Sequence, residues 1–182
     1  MTDGRRDELL TLAYAYVRDH GLSDLTLRPL AAAIGTSPRV LLFLFESKEG
    51  LVKALLARAR ADELALLSTL GDHQGLPAIA EAVWGWLSDA THRPLLRLWF
   101  EAYARSVDGD QGPWAGFAEG TVADWLAVLA TADDDPVRCT AVLALLRGAL
   151  LDLLATGDVA RTTAAVRRGL RAYASPVPEG GR

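Results

Sequence analysis

One cysteine and three histidines are all that 182 residues offer in the way of thiol chemistry or imidazole ligands. The lone Cys139 excludes an internal disulfide framework and a multi-cysteine zinc site, and His20, His73 and His92 are too scattered to form a ligand set. No metal and no cofactor is therefore expected. The chain also lacks a phosphate-binding glycine loop and a histidine with an evident nucleophile beside it, so an enzyme is not expected either. Met1–Asp7 is charged rather than apolar, and no apolar run approaches the roughly 20 residues needed to span a bilayer. These absences lead us to expect a soluble protein of a reducing, cytoplasmic compartment. There is no period-2 alternation, internal repeat or low-complexity stretch, which leaves an all-α chain whose 51% hydrophobic residues can build a sizeable core.

The formal net charge of −4 is unevenly spread. Residues 1–60 hold nine Lys+Arg against seven Asp+Glu, whereas residues 61–182 hold ten against sixteen. A phosphate-facing surface, if the chain has one, belongs to its N-terminal third. The pattern of that third is more telling than its charge. Leu9, Leu12, Ala13, Tyr16 and Val17 make one stripe of a helix over about Arg6–His20, stopped by Gly21. Thr26 can cap a second helix carrying Leu27, Leu30, Ala31 and Ile34, with Pro29 tolerated in the first turn and Gly35 as C-terminal stop. Ser37-Pro38 then pairs an N-cap with a proline at the first helical position, opening a third helix to about Phe45. Two short helices joined by a tight glycine-containing turn form a helix-turn-helix, whose second helix can lie in the DNA major groove. Ser47 caps a long fourth helix from Lys48 to about Leu70. Five more helices are expected near 76–91, 94–107, 114–131, 136–156 and 158–174, about nine in all. We divide the chain into a DNA-binding domain at 1–52, a helical effector-binding and dimerisation domain at 53–174, and a disordered Pro/Gly-rich tail at 175–182.

The stretch TLRPLAAAIGTSPRVLLFLFESKEGL, Thr26 to Leu51, resembles the N-terminal domain of the TetR family of transcription regulators. The matching features are Thr26, the small-residue helix ending in Ile34-Gly35, Ser37, Leu41, Phe45 and the Ser47-Lys48-Glu49-x-Leu51 run. With the first helix included, the likeness covers about residues 6–55. The remainder resembles the family only in being all-helical and of the right length. The resemblance implies a ligand-responsive regulator, a repressor by analogy, that binds double-stranded operator DNA as a homodimer. Its DNA-binding residues would be Thr26, Arg28, Ser37, Pro38, Arg39, Leu42, Phe43, Leu44 and Lys48. Arg39 is placed for a base edge. Lys48, Thr26 and Arg28 stand at helix starts, where phosphates are held. Similar proteins usually carry a tyrosine and a histidine where this chain has Leu42 and Leu44. The apolar run Val40–Phe45 must expose several side chains, which would meet either thymine methyls or a protein partner. The alternative function is accordingly a helical interaction module that keeps the helix-turn-helix shape without binding DNA.

All five tryptophans lie beyond residue 60, with Phe100, Tyr103 and Phe117. The aromatic candidates for contact with an apolar or aromatic effector are Trp84, Trp99, Phe100, Tyr103, Trp114, Phe117 and Trp125. Leu96, His92, Arg147 and Cys139 complete the set, with Glu101 and Arg105 as further polar candidates. A filled aromatic core is the competing reading, and an Arg97–Glu101 surface pair explains Glu101 equally well. Helix eight is apolar around nearly its whole circumference and helix nine has a narrower stripe. Leu143, Leu146, Leu150, Leu154, Val166, Leu170 and Tyr173 are expected at a dimer interface built from these two helices, as in similar proteins. Helix eight would suit the centre of a monomeric bundle as well.

Overall fold

The computed structural model describes residues 2–22, 25–68, 75–108 and 112–173. Among these the chain is all-helical, with nine α-helices: α1 Thr2–His20, α2 Leu27–Ala33, α3 Pro38–Phe45, α4 Lys48–Ser68, α5 Leu76–Ser88, α6 Arg93–Val107, α7 Phe117–Leu129, α8 Pro136–Thr156 and α9 Val159–Leu170. Short 3-10 turns follow α5 and α9 at Ala90–His92 and Arg171–Tyr173. The nine expected helices are therefore all present. The expected tail, the end of α4 past Ser68, and parts of the expected breaks at 71–75 and 108–113 lie outside the described residues.

The chain forms two compact units, Met1–Leu64 with Pro94–Thr121, and Ala65–Arg93 with Val122–Arg182. In the first, α1, α2 and α3 pack on one another. Leu9, Ala13, Tyr14 and Val17 of α1, Leu30 and Ala31 of α2, and Leu41 and Phe45 of α3 are buried. The α1 stripe is rotated from the expected one: Leu12 is exposed and Tyr16 half-buried, while Tyr14 is covered. The rotation has a cause in α4, whose Arg58 guanidinium lies 5.8 Å from the Tyr14 ring centre and is paired to Asp62 at 3.2 Å. Sequence periodicity sees the contacts of α1 with its immediate neighbours, whereas α4 adds cover on the Tyr14 side.

Local chemistry sets the corners of this unit. After α2, Gly35 takes a φ of 68°, a left-handed conformation that glycine adopts without steric cost, and Thr36 N–H reaches back to the Ala31 carbonyl at 2.9 Å. Ser37 Oγ accepts from Val40 N–H and Pro38 opens α3. Thr26 stands at the N-cap of α2 in extended conformation, but its side chain makes no cap hydrogen bond, contrary to expectation. Between α3 and α4 the chain turns within two residues. Ser47 Oγ accepts Gly50 N–H at 2.9 Å and Ser47 N–H donates to the Phe45 carbonyl at 2.8 Å.

In the second unit α8 packs on α9 and α5, and α5 on α9. Asp135 caps α8 by accepting Val137 and Arg138 N–H, and Gly157 ends it in the left-handed conformation. Trp84 Nε1–H donates to Thr163 Oγ1 at 2.9 Å, joining α5 to α9. Arg161 of α9 holds both carboxylate oxygens of Asp152 on α8 at 2.6 Å. The circumference of α8 is not wholly covered: Val137, Thr140, Ala144, Gly148, Leu151 and Ala155 are exposed along one stripe. By length and composition α8 is apolar enough to cross a bilayer, which corrects the expectation that no segment would be. A third of that apolar stretch is buried, on the side packed against α5 and α9.

Candidate nucleic-acid interface and effector-binding residues

The turn from α2 to α3 bends the chain by 103°, within the range that lets the second helix of such a pair stand away from its module. Leu41 and Phe45, four residues apart, fix one side of α3 in the core, and the Arg6 guanidinium covers the Phe45 ring at 4.9 Å. The opposite side is open. Arg39, Val40, Leu42 and Phe43 are exposed, Phe43 to 76%, while Pro38 and Leu44 are half-buried. Ser37 is exposed at the N-terminus of α3, Thr26 and Arg28 at the start of α2, and Lys48 at the start of α4. The N-termini of α2, α3 and α4, with their positive dipole ends, thus occur in one small module together with the exposed Arg28, Arg39 and Lys48. Exposed cations and helix N-termini are suited to an anionic backbone, and the exposed Val40, Leu42 and Phe43 to contacts that are not charged.

The residues expected to meet an effector divide between the two units. In the first, Leu96 and Trp99 of α6 are buried, as are Trp114 and Phe117, while Phe100 and Tyr103 are half-buried. In the second, Trp84, Trp125 and Cys139 are buried and His92 and Arg147 half-buried. Several of these groups already have work in the fold. Trp84 is bonded to Thr163, and His92 stacks on Trp86 at 4.0 Å while its Nδ1 lies 2.9 Å from the Trp86 carbonyl. The Cys139 thiol donates to the Asp133 carbonyl at 3.2 Å, and burial pushes its pKa up, so it stays a neutral thiol.

Glu101 has a role that no spacing in the sequence shows. Its Oε2 accepts Leu22 N–H at 2.9 Å, tying α6 to the corner between α1 and α2, 79 residues away. The carboxylate is thus engaged with backbone in the first unit.

Of the residues expected at a dimer interface, Leu143, Leu146, Leu150, Val166 and Leu170 are buried within the single chain, and Leu154 and Tyr173 are half-buried. Tyr173 is held by Arg138, which lies 5.7 Å from its ring centre and donates to its carbonyl at 3.0 Å. The side of α8 that the chain itself leaves uncovered is the exposed stripe, where Ala144, Gly148 and Ala155 lie between Val137 and Leu151 and beyond them.

Residues 9–55 match the family model described as bacterial regulatory proteins, tetR family, which bears out the resemblance drawn from Thr26–Leu51. Solved structures share the fold over nearly the whole chain. One is assigned as a TetR-family transcriptional regulator from Rhodococcus sp., with a TM-score of 0.73, 18% identity, and 94% of this chain and 100% of that chain covered. Another is the multidrug binding protein EbrR complexed with imidazole, at 0.72 and 23% identity over 97% of this chain and 93% of that one. EbrR complexed with proflavin aligns at 0.70 and 23% identity, over 92% and 98%. None of the curated proteins matches the chain.

Proposed function

We propose that this chain, with a tetR-type N-terminal segment on a TetR-like fold, is a ligand-responsive transcription regulator rather than an enzyme. In this reading a homodimer binds a palindromic operator and leaves it when a small apolar or aromatic effector binds. The observation that carries the proposal is the open face of α3, in a module that also exposes Arg28 and Lys48 at the starts of α2 and α4. Arg39 would bond guanine O6 and N7 together, worth about 1–3 kcal/mol of discrimination, while Lys48, Arg28 and Thr26 hold phosphates and set register. The DNA-binding role belongs to residues 1–52, and effector binding and dimerisation to residues 53–174. A two-fold dimer would set its recognition helices roughly 34–36 Å apart, or somewhat more, and so select a palindrome.

The effector reading is supported by the concentration of buried aromatics and by the likeness to EbrR, which has been solved with imidazole and with proflavin. Release would follow from a population shift: an effector with higher affinity for one arrangement of the helices favours a head spacing that the operator does not fit. Two elements could carry the coupling. One is α4, continuous from Lys48 to Ser68; the other is the Glu101–Leu22 bond between α6 and the head.

The test is selection from random duplex DNA at two salt concentrations with purified protein. An enriched palindrome, retained less at high salt because phosphate contacts release counterions, is the expected result. The exposed Val40, Leu42 and Phe43 favour a second reading, a helical interaction module without DNA binding. A folded dimer that enriches no duplex at either salt would decide for it.

A further inference from the structure

We infer that Phe43 reads thymine methyl groups in the major groove, with Arg39 fixing a guanine in the same half-site. This rests on the DNA-binding reading above and deepens it. Arg39 and Phe43, four residues apart on α3, lie on one line opposite the buried Leu41 and Phe45, and Val40 and Leu42 flank them at 37% and 42% exposure. Phe43, at 76%, has little of its ring covered by the fold, so the fold accounts for little of its presence there. A ring this open gains most from burial against a partner.

The chemistry of α3 narrows what that partner offers. From Pro38 to Phe45 there is no Asn or Gln to bond adenine at N6 and N7, and no Asp or Glu to accept from cytosine N4. Arg39 is the one base-reading polar side chain in that span, and its preferred partner is guanine. The apolar group that a base pair presents in the major groove is the thymine C5-methyl, and phenylalanine is among the side chains that contact it. The exposed cations Arg28, Arg39 and Lys48 in the same module favour a polyanion over an apolar protein surface as the occupant. Four residues advance about 6 Å along a helix, close to two base-pair steps of about 3.4 Å, so the guanine and the thymine fall within about two base pairs of each other.

The operator recovered from the random pool is resynthesised with deoxyuridine replacing thymine one position at a time, which deletes the methyl and keeps every hydrogen-bonding group. Binding is followed by fluorescence anisotropy at fixed salt. Wild type is expected to lose about fourfold in affinity at the thymine contacted by Phe43, the worth of one buried methyl-sized group. Phe43→Ala is expected to bind the thymine and uracil duplexes equally, and because the ring is exposed its circular dichroism should match wild type. Arg39→Ala should keep the thymine preference while losing the guanine. Equal binding of thymine and uracil duplexes by wild type overturns the inference but leaves the regulator reading standing. A thymine preference that persists in Phe43→Ala overturns the assignment to this residue. A folded protein that enriches no duplex overturns both readings at once.

Discussion

A single carboxylate illustrates how much a residue's neighbours decide. Glu101 could be an ion-pair partner of Arg97 one helical turn away, yet its Oε2 takes the Leu22 N–H at 2.9 Å, in the connection that follows α1. A hydrogen bond to a charged acceptor stabilises by about 1.5–3 kcal/mol, and removing the acceptor leaves a backbone donor without its partner. Glu101→Ala is therefore expected to lower the free energy of unfolding by about that amount in urea titration, whereas Glu101→Gln, whose amide oxygen can still accept, should recover most of it. A loss no larger than for an ordinary surface substitution would show that water replaces the carboxylate at no cost. Leu41 and Phe45 are assignable to the core from sequence because their spacing of four on a capped helix marks one apolar side. Glu101 could not, because its partner is 79 residues distant and is a backbone group that leaves no trace in side-chain pattern.

At the scale of elements, glycine, proline and capping residues made the helices legible. Ser37-Pro38, Gly35 and Gly157 mark starts and stops that the structure keeps. Legibility failed for face rather than for position. The periodicity of α1 points Leu12 and Tyr16 to the core in place of Tyr14, because cover from α4 has no local signature. The junction of α3 and α4 is also legible only in three dimensions. A Cβ on residue 50 would collide with the Phe45 carbonyl oxygen, so the first turn of α4 lies against the end of α3 only because residue 50 is glycine. Gly50→Ala is expected to cost about 1–3 kcal/mol of stability, the usual range for overpacking, and to reduce operator affinity by shifting α3 relative to Lys48. Thermal melting and anisotropy would check the two effects separately. Between α8 and α9 the clamp is ionic. Hydrogen bonds from Arg161 hold the Asp152 carboxyl below its ordinary value of 3.8. A depressed carboxyl stabilises the fold above its unfolded pKa, and that contribution is lost as the pH falls through the folded one. Wild type should thus melt slightly above Asp152→Asn at neutral pH. The difference should shrink below about pH 4, and because both side chains are solvent-exposed it should be small throughout and reduced by salt.

For the whole molecule the proposed dimer needs a surface through which two copies would meet. The large leucines of α8 carry its hydrophobic signal, yet a side chain buried against its own chain cannot also be buried against a partner. Leu143, Leu146 and Leu150 are turned inward. The stripe that remains, Val137, Thr140, Ala144, Gly148, Leu151 and Ala155, repeats at intervals of three and four residues, so it runs along one side of a 21-residue helix. Small side chains let helix backbones approach closely, and Leu151 at 54% and Val137 at 73% exposure supply apolar area at two points along the line. A two-fold axis crossing this stripe would pair it with its own copy, the self-complementary contact that a closed dimer requires. Leu151→Glu places two like charges near that axis without touching the core. It is expected to give a folded monomer in sedimentation at concentrations where wild type is dimeric, with circular dichroism unchanged. Operator affinity should fall much further than any single lost contact explains, since each head would then bind its half-site alone and the gain from joining two sites would be gone. A Leu151→Glu protein that stays dimeric would place the interface elsewhere on the molecule.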